Sequence, residues 1–404
     1  MRGPKRPVPG PSRAEMKEIQ KELNIKKCKP LVPVRGMFNQ GSPPTRVRVG
    51  SDCSGLGSEL YALKLAKIEC VSEFASECKT ALHEIFWSIH EGRRHSIETD
   101  ATNPSTTRTN VDLYVAGPPC QSWSTMGKRA GLADMKGRGI VFYSCLTYVK
   151  TKRPRVAVFE NVAGLKSHFA REFLDILSCL EKANYHVTWD LINALDNGVP
   201  HQRSRVYIVA IARESLKHEF TFPRKLKTIP PVDLFLDNNP WRGLPPQQGE
   251  IARRNICEQS RKLADEGAEP QTKTCFIDVY SSPTFTQSKA GVCPCITATR
   301  GSQGGFHITN QRRMTSHEEL ARLQGWTSPA FERMRRRGNL KLIGHALGNG
   351  MSVNVLYRVL PRALYSAGLL KKKTIDVWKH VNFAKADRTQ FKMLPDDMYK
   401  DVKL

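Results

Sequence analysis

Cys120 is the first residue of this chain with the setting of a nucleophile. It lies in Gly117-Pro118-Pro119-Cys120-Gln121-Ser122-Trp123-Ser124, directly after the apolar, strand-forming run Val111-Asp112-Leu113-Tyr114-Val115-Ala116. Two consecutive prolines fix φ, withdraw two backbone donors and keep any helix from reaching the thiol. The thiol is therefore expected on a stiff loop just past the carboxyl end of a strand, the edge at which open α/β sheets bind ligands. A cysteine is more often a small buried hydrophobe, but Gln121, Ser122 and Ser124 make this surrounding polar. A second apolar run, Val156-Ala157-Val158-Phe159, ends in Glu160-Asn161-Val162. If the two strands are parallel, a candidate nucleophile, Cys120, and a candidate acid, Glu160, reach the same sheet edge.

The elements that must position them form a recognisable series. Arg46-Val47-Arg48-Val49-Gly50 reads as a first strand, followed by the turn Ser51-Asp52-Cys53-Ser54-Gly55-Leu56-Gly57 and a helix carrying Leu60, Leu63 and Leu65. Strand, glycine turn and helix make the opening unit of a nucleotide-type α/β fold, in which the backbone approaches a ligand at a helix N-terminus. A second strand-like run, Val71-Ser72-Glu73-Phe74-Ala75-Ser76-Glu77, ends in an acid; a carboxylate there can accept both hydroxyls of a ribose. Glu98-Thr99-Asp100-Ala101 reads as the end of a third strand, with Asp100 either capping a turn or meeting an adenine amino group. A helix is expected from Ile140 to about Lys150 and another over 169–183, with Phe173, Ile176, Leu177 and Leu180 on one face. Arg203 and Arg205 precede the strand 206–211 and share a face if the chain is already extended there. Residues 214–292 show clustered prolines and no strong periodicity; Thr315-Ser316-His317-Glu318 reads as a capping box opening a short helix.

With these motifs in order, the sequence resembles the C5-cytosine methyltransferase family from roughly Val47 to Ala367. Asp52-Cys53-Ser54-Gly55-Leu56-Gly57 resembles its first motif, with cysteine where phenylalanine is usual; His201-Gln202-Arg203-Ser204-Arg205 keeps both arginines of another, with His201 in place of a glutamine. Cys295-Ile296-Thr297-Ala298-Thr299-Arg300-Gly301, the run from Arg313 to Gly325, and Gly348-Asn349-Gly350-Met351-Ser352-Val353 resemble later motifs. The resemblance implies an α/β Rossmann-like S-adenosylmethionine-dependent methyltransferase sheet with helices on both faces, plus a smaller target-recognition domain. It implies a DNA (cytosine-5-)-methyltransferase that moves a methyl group from S-adenosyl-L-methionine to C5 of a flipped cytosine, with Cys120, Glu160, Arg203 and Arg205 as the catalytic set. The cofactor set it implies is Asp52, Cys53, Ser54, Gly55, Leu56, Gly57, Glu77, Cys78, Asp100, Ala101, Gly117, Pro119, Asn349, Ser352 and Val353, with no metal. The glycine-rich, basic segment 125–139 would close over the base. The expected organisation is a basic arm over 1–45, catalytic domain over 46–213, recognition domain over 214–335, a return to the catalytic domain over 336–370, and an extension over 371–404.

Composition narrows the partner. The chain has 404 residues and a formal charge of +25, which favours a polyanion, most simply double-stranded DNA. No apolar run approaches the ~20 residues of a membrane span. The start of the chain does not read as a signal peptide. Eleven cysteines without a repeating framework or a Cys-x-x-Cys read as reduced and intracellular, with little support for structural zinc. The basic arm and a lysine run favour a nucleus, the alternative being a prokaryotic cytoplasm. An RNA cytosine methyltransferase of the same fold and a catalytically silent nucleic-acid-binding protein are the rivals. A thiol hydrolase fits poorly, because His83, His90 and His168 show no partner pattern.

Overall fold

The computed structural model describes residues 45–90, 97–101, 108–119, 140–238, 249–381, 383 and 386. Six strands form the central sheet: β1 (Val47–Asp52), β2 (Cys70–Ala75), β3 (Leu113–Ala116), β4 (Val156–Val162), β5 (Tyr185–Asn193) and β6 (Ser204–Ala212), in the order β2-β1-β3-β4-β6-β5. Neighbours from β2 to β4 are parallel, whereas β6 runs antiparallel to both β4 and β5. The chain steps outward from β1 in both directions, to β2 and to β3, so the carboxyl ends of β1 and β3 flank a topological switch point, where such sheets bind ligands.

Both faces of the sheet are buried, as its mostly parallel strands require. Side chains alternate between two cores. Val47, Val49, Leu113, Val115, Val156, Val158, Tyr207, Val209 and Ile211 enter one core, and Tyr114, Ala116, Ala157, Phe159, Val206, Ile208 and Ala210 the other. The first core is covered by α1 (Ser58–Leu65), α2 (His83–Ile89) and the helix Val353–Ser366. The second is covered by α3 (Ile140–Lys152) and, after the short α4 (Gly164–His168), by α5 (Ala170–Lys182), whose Phe173, Ile176, Leu177 and Leu180 are buried. Each such apolar side chain, once buried, contributes roughly 1.5–3 kcal/mol.

The expected elements stand close to where the sequence puts them, with three differences. Glu98 forms a single bridge with Ser76 rather than the end of a third strand. The capping box is one residue later than expected: Ser316 accepts from the Glu319 N–H while the Glu319 side chain returns to the Ser316 N–H. The interval without periodicity holds a 16-residue helix, α6 (Glu250–Asp265), whose buried face is made by Ala252, Asn255 and Leu263; an alanine and an asparagine leave little apolar pattern to read. This helix covers a second, four-stranded sheet, β10-β9-β7-β8, made of β7 (Cys275–Ile277), β8 (Ser288–Ala290), β9 (His307–Ile308) and β10 (Arg313–Met314). Five more helices complete the described chain: α7 (Ala298–Ser302), α8 (His317–Leu323), α9 (Ser328–Arg335), α10 (Leu340–Asn349) and α11 (Val353–Ser366). Beyond α11 the segment carrying Val377 and Trp378 packs back onto the first core, and Asp376 pairs with the buried Arg358 at 3.0 Å.

Candidate active site

Glu160 lies two residues beyond Val158 on β4, so strand alternation turns it to the same face as the first core. In the antiparallel partner β6, Arg205 stands opposite Val162 and Tyr207 opposite Glu160. Arg205 thus reaches Glu160 diagonally, with Nε 3.2 Å from Oε1. The carboxyl is buried, and burial raises its pKa above the ordinary value; Arg205 and then Arg203 pull the other way. A buried acid held near two guanidinium groups but biased toward its protonated form can donate to a ring nitrogen.

Asn161, the next residue, turns to the opposite side and donates through Nδ2 to the Pro118 carbonyl at 3.3 Å, while its Oδ1 accepts from the Val162 N–H. It ties the diproline loop to β4. Gly117, at the start of that loop, lies in a slot: a Cβ there would stand 2.9 Å from Met351 Cε and 3.9 Å from Glu160 Oε2. Cys120 and the segment 121–139 follow directly and lie outside the described residues, as do residues 1–44 of the basic arm expected over 1–45.

Arg203 has a different role from its neighbour. The residue is 2% exposed, and its guanidinium donates to the carbonyls of Ile296, Gly348 and Gly350 at 2.9, 3.1 and 2.8 Å. It therefore fixes the backbone on both sides of Asn349, rather than turning its fork to a ligand. Burial, followed by the neighbouring Arg205, holds its pKa below the usual guanidinium value. Cys295 lies beside both arginines, with Sγ 3.9 Å from Arg203 Nη1 and 4.0 Å from Arg205 Nη2. Burial raises that thiol, yet the two cations leave its pKa below the ordinary value. His201 is fully buried, and its Nε2 accepts from the Ile296 N–H at 3.0 Å. That bond accounts for a histidine here: a ring nitrogen does the work of a side-chain acceptor. Burial keeps the ring neutral, its pKa well below the ordinary histidine value.

The glycine turn at the end of β1 is strained and open. Cys53 has φ +55°, Gly55 φ +54° and Gly57 φ +70°. At Gly57 a side chain would collide with His90 and Phe86, while nothing stands within 4 Å of a Cβ on Gly55. The Gly55 N–H donates to Glu77 Oε2 at 3.1 Å, and Glu77 Oε1 accepts from the Lys79 N–H at 2.9 Å, next to the exposed Cys78. A half-exposed carboxylate against an open glycine turn fits a ribose diol, so the donor set suits an adenosyl group. Asp100 and Ala101 follow Glu98, which is bridged to Ser76 just ahead of Glu77.

Several residues of the expected cofactor set are committed inside the protein. Alternation along β1 sends Ser51 to the first core and Asp52 to the second. The Asp52 carboxylate accepts from Ser76 Oγ at 2.6 Å, Tyr114 OH at 2.6 Å and Arg108 Nη1 at 3.0 Å. It braces the turn from beneath, and its oxygens have no capacity aimed at a ligand. Arg108, buried and paired also with Glu98, is a residue that sequence reasoning missed, since an arginine among threonines carries no periodic signal. Ser352 donates to Gln324 Oε1 at 3.1 Å and Val353 is fully buried; both are held by Gln324, whose Nε2 donates to the Leu347 carbonyl at 2.6 Å. Asn349, by contrast, is exposed at the end of α10, with Nδ2 3.4 Å from His345 Nε2. Pro119 is half-buried beside the slot at Gly117.

Among the described residues no group of three or more His, Cys, Asp or Glu side chains could hold a metal, and no helix is long and apolar enough to cross a membrane.

Solved structures of the same fold include the Entamoeba histolytica methyltransferase EhMeth and the S. pombe Dnmt2 methyltransferase. They are 16% and 20% identical, with TM-scores of 0.57 and 0.54, and this chain spans 99% of each while 80% and 79% of it is covered. The fold is thus a Rossmann-like methyltransferase sheet. The model of the C-5 cytosine-specific DNA methylase family matches residues 47–363, and the chain belongs to that family. Among its curated relatives are the type II methyltransferase M.NgoBI of Neisseria gonorrhoeae, 27% identical over 81% of this chain and 96% of that protein, and M.HhaI of Haemophilus parahaemolyticus, 25% identical over 75% and 90%. The protein is a DNA (cytosine-5-)-methyltransferase, and its methyl donor is S-adenosyl-L-methionine.

Proposed function

We propose that the chain methylates C5 of a cytosine flipped out of double-stranded DNA, through a covalent adduct at Cys120. The observation that carries this reading is the meeting of the buried Glu160–Arg205 pair with the Asn161–Pro118 tie, two residues before Cys120. Cytosine C5 is a weak nucleophile. Attack of the Cys120 thiolate on C6 forms an S–C bond and leaves electron density on C5. Glu160 donates its proton toward N3 as that density builds, and Arg205 holds the base carbonyl. S-adenosylmethionine, when bound, supplies the electrophilic methyl group. Glu77 and the turn 53–57 would orient its adenosyl end. Water then takes the C5 proton, the N3 proton returns to Glu160, the ring density is restored, and the C6–S bond breaks to release Cys120. Because C6 is shielded inside a duplex, the base must leave the stack at a cost of a few kcal/mol.

In this reading Arg203 is a positioning residue that acts through residues 348–350. The four-stranded sheet with α6 is the target-recognition unit, within the proposed interval 214–335. The strongly positive charge grips the DNA backbone. Bacterial relatives favour a prokaryotic cytoplasm over the nucleus suggested by the basic arm. The direct test is transfer of a labelled methyl group to duplex DNA and to transfer RNA side by side. Incorporation into DNA that Cys120→Ala abolishes supports the reading; incorporation into RNA alone overturns the substrate, and none into either overturns the activity.

A further inference from the structure

Phe285 is 74% exposed, more than any other large apolar side chain among the described residues. It does not hang from a loose loop. It ends the short turn Pro283–Phe285 between β7 and β8, where its N–H donates to the Ser282 carbonyl at 2.9 Å and Thr286 Oγ1 donates to the same carbonyl at 3.1 Å. The base of the loop is closed by the Asp278 N–H on the Gln287 carbonyl at 2.9 Å. Asn255 of α6, fully buried, donates to the carbonyls of Val279 and Ser281 at 3.3 and 2.8 Å. Arg300 of α7 grips the loop from the other side, through Asp278 Oδ2 and Ser281 Oγ, both at 2.7 Å.

The bracing also leads to the chemistry. Arg300 lies in the helix capped by Thr297, whose side chain accepts from the Arg300 N–H. The two residues before that cap, Cys295 and Ile296, are the ones that meet Arg203 and Arg205. The base of the loop is therefore tied to Arg203 and Arg205 through one short, hydrogen-bonded segment. An exposed apolar ring on a braced loop, in a chain of formal charge +25, suits insertion against stacked bases, where its face replaces a base neighbour.

We infer that Phe285 is a specificity-determining residue that stacks into the target duplex and sets which bases flank the methylated cytosine. This inference rests on the proposed DNA reading, and its test separates the two. Wild type, Phe285→Ala and Phe285→Trp are compared by retardation of a random-sequence duplex and by bisulfite sequencing of a methylated plasmid. Being exposed, the side chain should leave the melting temperature within about 1 °C in both variants. Phe285→Ala is expected to bind the duplex about tenfold more weakly and to broaden the methylated context, while Phe285→Trp keeps both. If the wild type methylates the plasmid and Phe285→Ala matches it in binding and in context, this inference falls and the activity stands. If the wild type transfers no methyl group but Phe285→Ala still loses duplex binding, the activity falls and the stacking role stands. Failure of the wild type to bind the duplex at all overturns both.

Discussion

Replacing Glu59 by Gln should change how stability depends on pH, by an amount the structure sets. Glu59 is the second residue of α1, directly behind the glycine turn, and is 1% exposed. Its Oε1 has no hydrogen-bond partner. Burial pushes the carboxyl from 4.5 up to about 7, and its own N–H and the Ser51 hydroxyl only partly offset this. The folded protein thus holds a proton that the unfolded chain has released. Stability contributed by this group is full below pH 4.5, declines as pH rises through 7, and is lost above that. At about 1.4 kcal/mol per unit, the loss totals about 3 kcal/mol. A glutamine cannot titrate. The difference in unfolding free energy between variant and wild type should therefore move by about 3 kcal/mol in the variant's favour from pH 4.5 to 8. Urea unfolding followed by tryptophan fluorescence at half-unit pH steps reads it, and taking the difference cancels the other titrating groups. A flat difference across that range would refute a neutral, buried Glu59.

The remaining expectations concern the catalytic face and its supports. His90 is buried with Nε2 2.8 Å from the Leu56 carbonyl, and burial lowers its pKa from 6.5 to about 4. Its contribution is therefore full above pH 6.5 and falls by about 3 kcal/mol as pH drops toward 4, a loss that His90→Gln should remove from the same unfolding series. Arg205→Gln takes away the cation that opposes the raised pKa of Glu160. The alkaline limb of the rate profile, where a proton-holding Glu160 is lost, should move to higher pH while kcat falls by at least about tenfold; an unmoved limb would detach that limb from Glu160. Arg203→Lys cannot span three carbonyls, so it should cost about 2–5 kcal/mol and weaken S-adenosylmethionine binding, measured by calorimetry, more than it slows single-turnover transfer.

Much of this was legible in the residues, and the gaps have physical causes. Strands announced themselves because both faces of the sheet are apolar, so Val156–Val162 and Ser204–Ala212 read as near-continuous hydrophobic runs, while Val47–Asp52 was marked by Val47 and Val49 before the glycine turn. Glu160 was legible because an acid at the end of such a run has nowhere to be but the sheet edge. Asp52 shows the limit of motif reading. Its place in the turn suggested a ligand, yet Val47 and Val49 already set the alternation that sends Ser51 toward the turn's helix and Asp52 to Tyr114 on the far face. Arg203 and Arg205 looked equivalent by spacing. They differ because one meets backbone carbonyls from two segments, 93 and 145 positions away, and the other meets Glu160, and neither partner is visible locally. Helix α6 escaped because its buried asparagine serves a loop rather than a core.

The central claim is that Cys120 attacks cytosine C6 while Glu160 supports the ring. A duplex containing 5-fluorocytosine, offered with S-adenosylmethionine to wild type, Cys120→Ala and Glu160→Gln, tests it in one gel. Fluorine at C5 cannot leave as a proton does, so the account expects a covalent protein–DNA band with the wild type, slower trapping with Glu160→Gln and none with Cys120→Ala. A band that persists in Cys120→Ala, or none with a wild type that methylates ordinary cytosine, would contradict it.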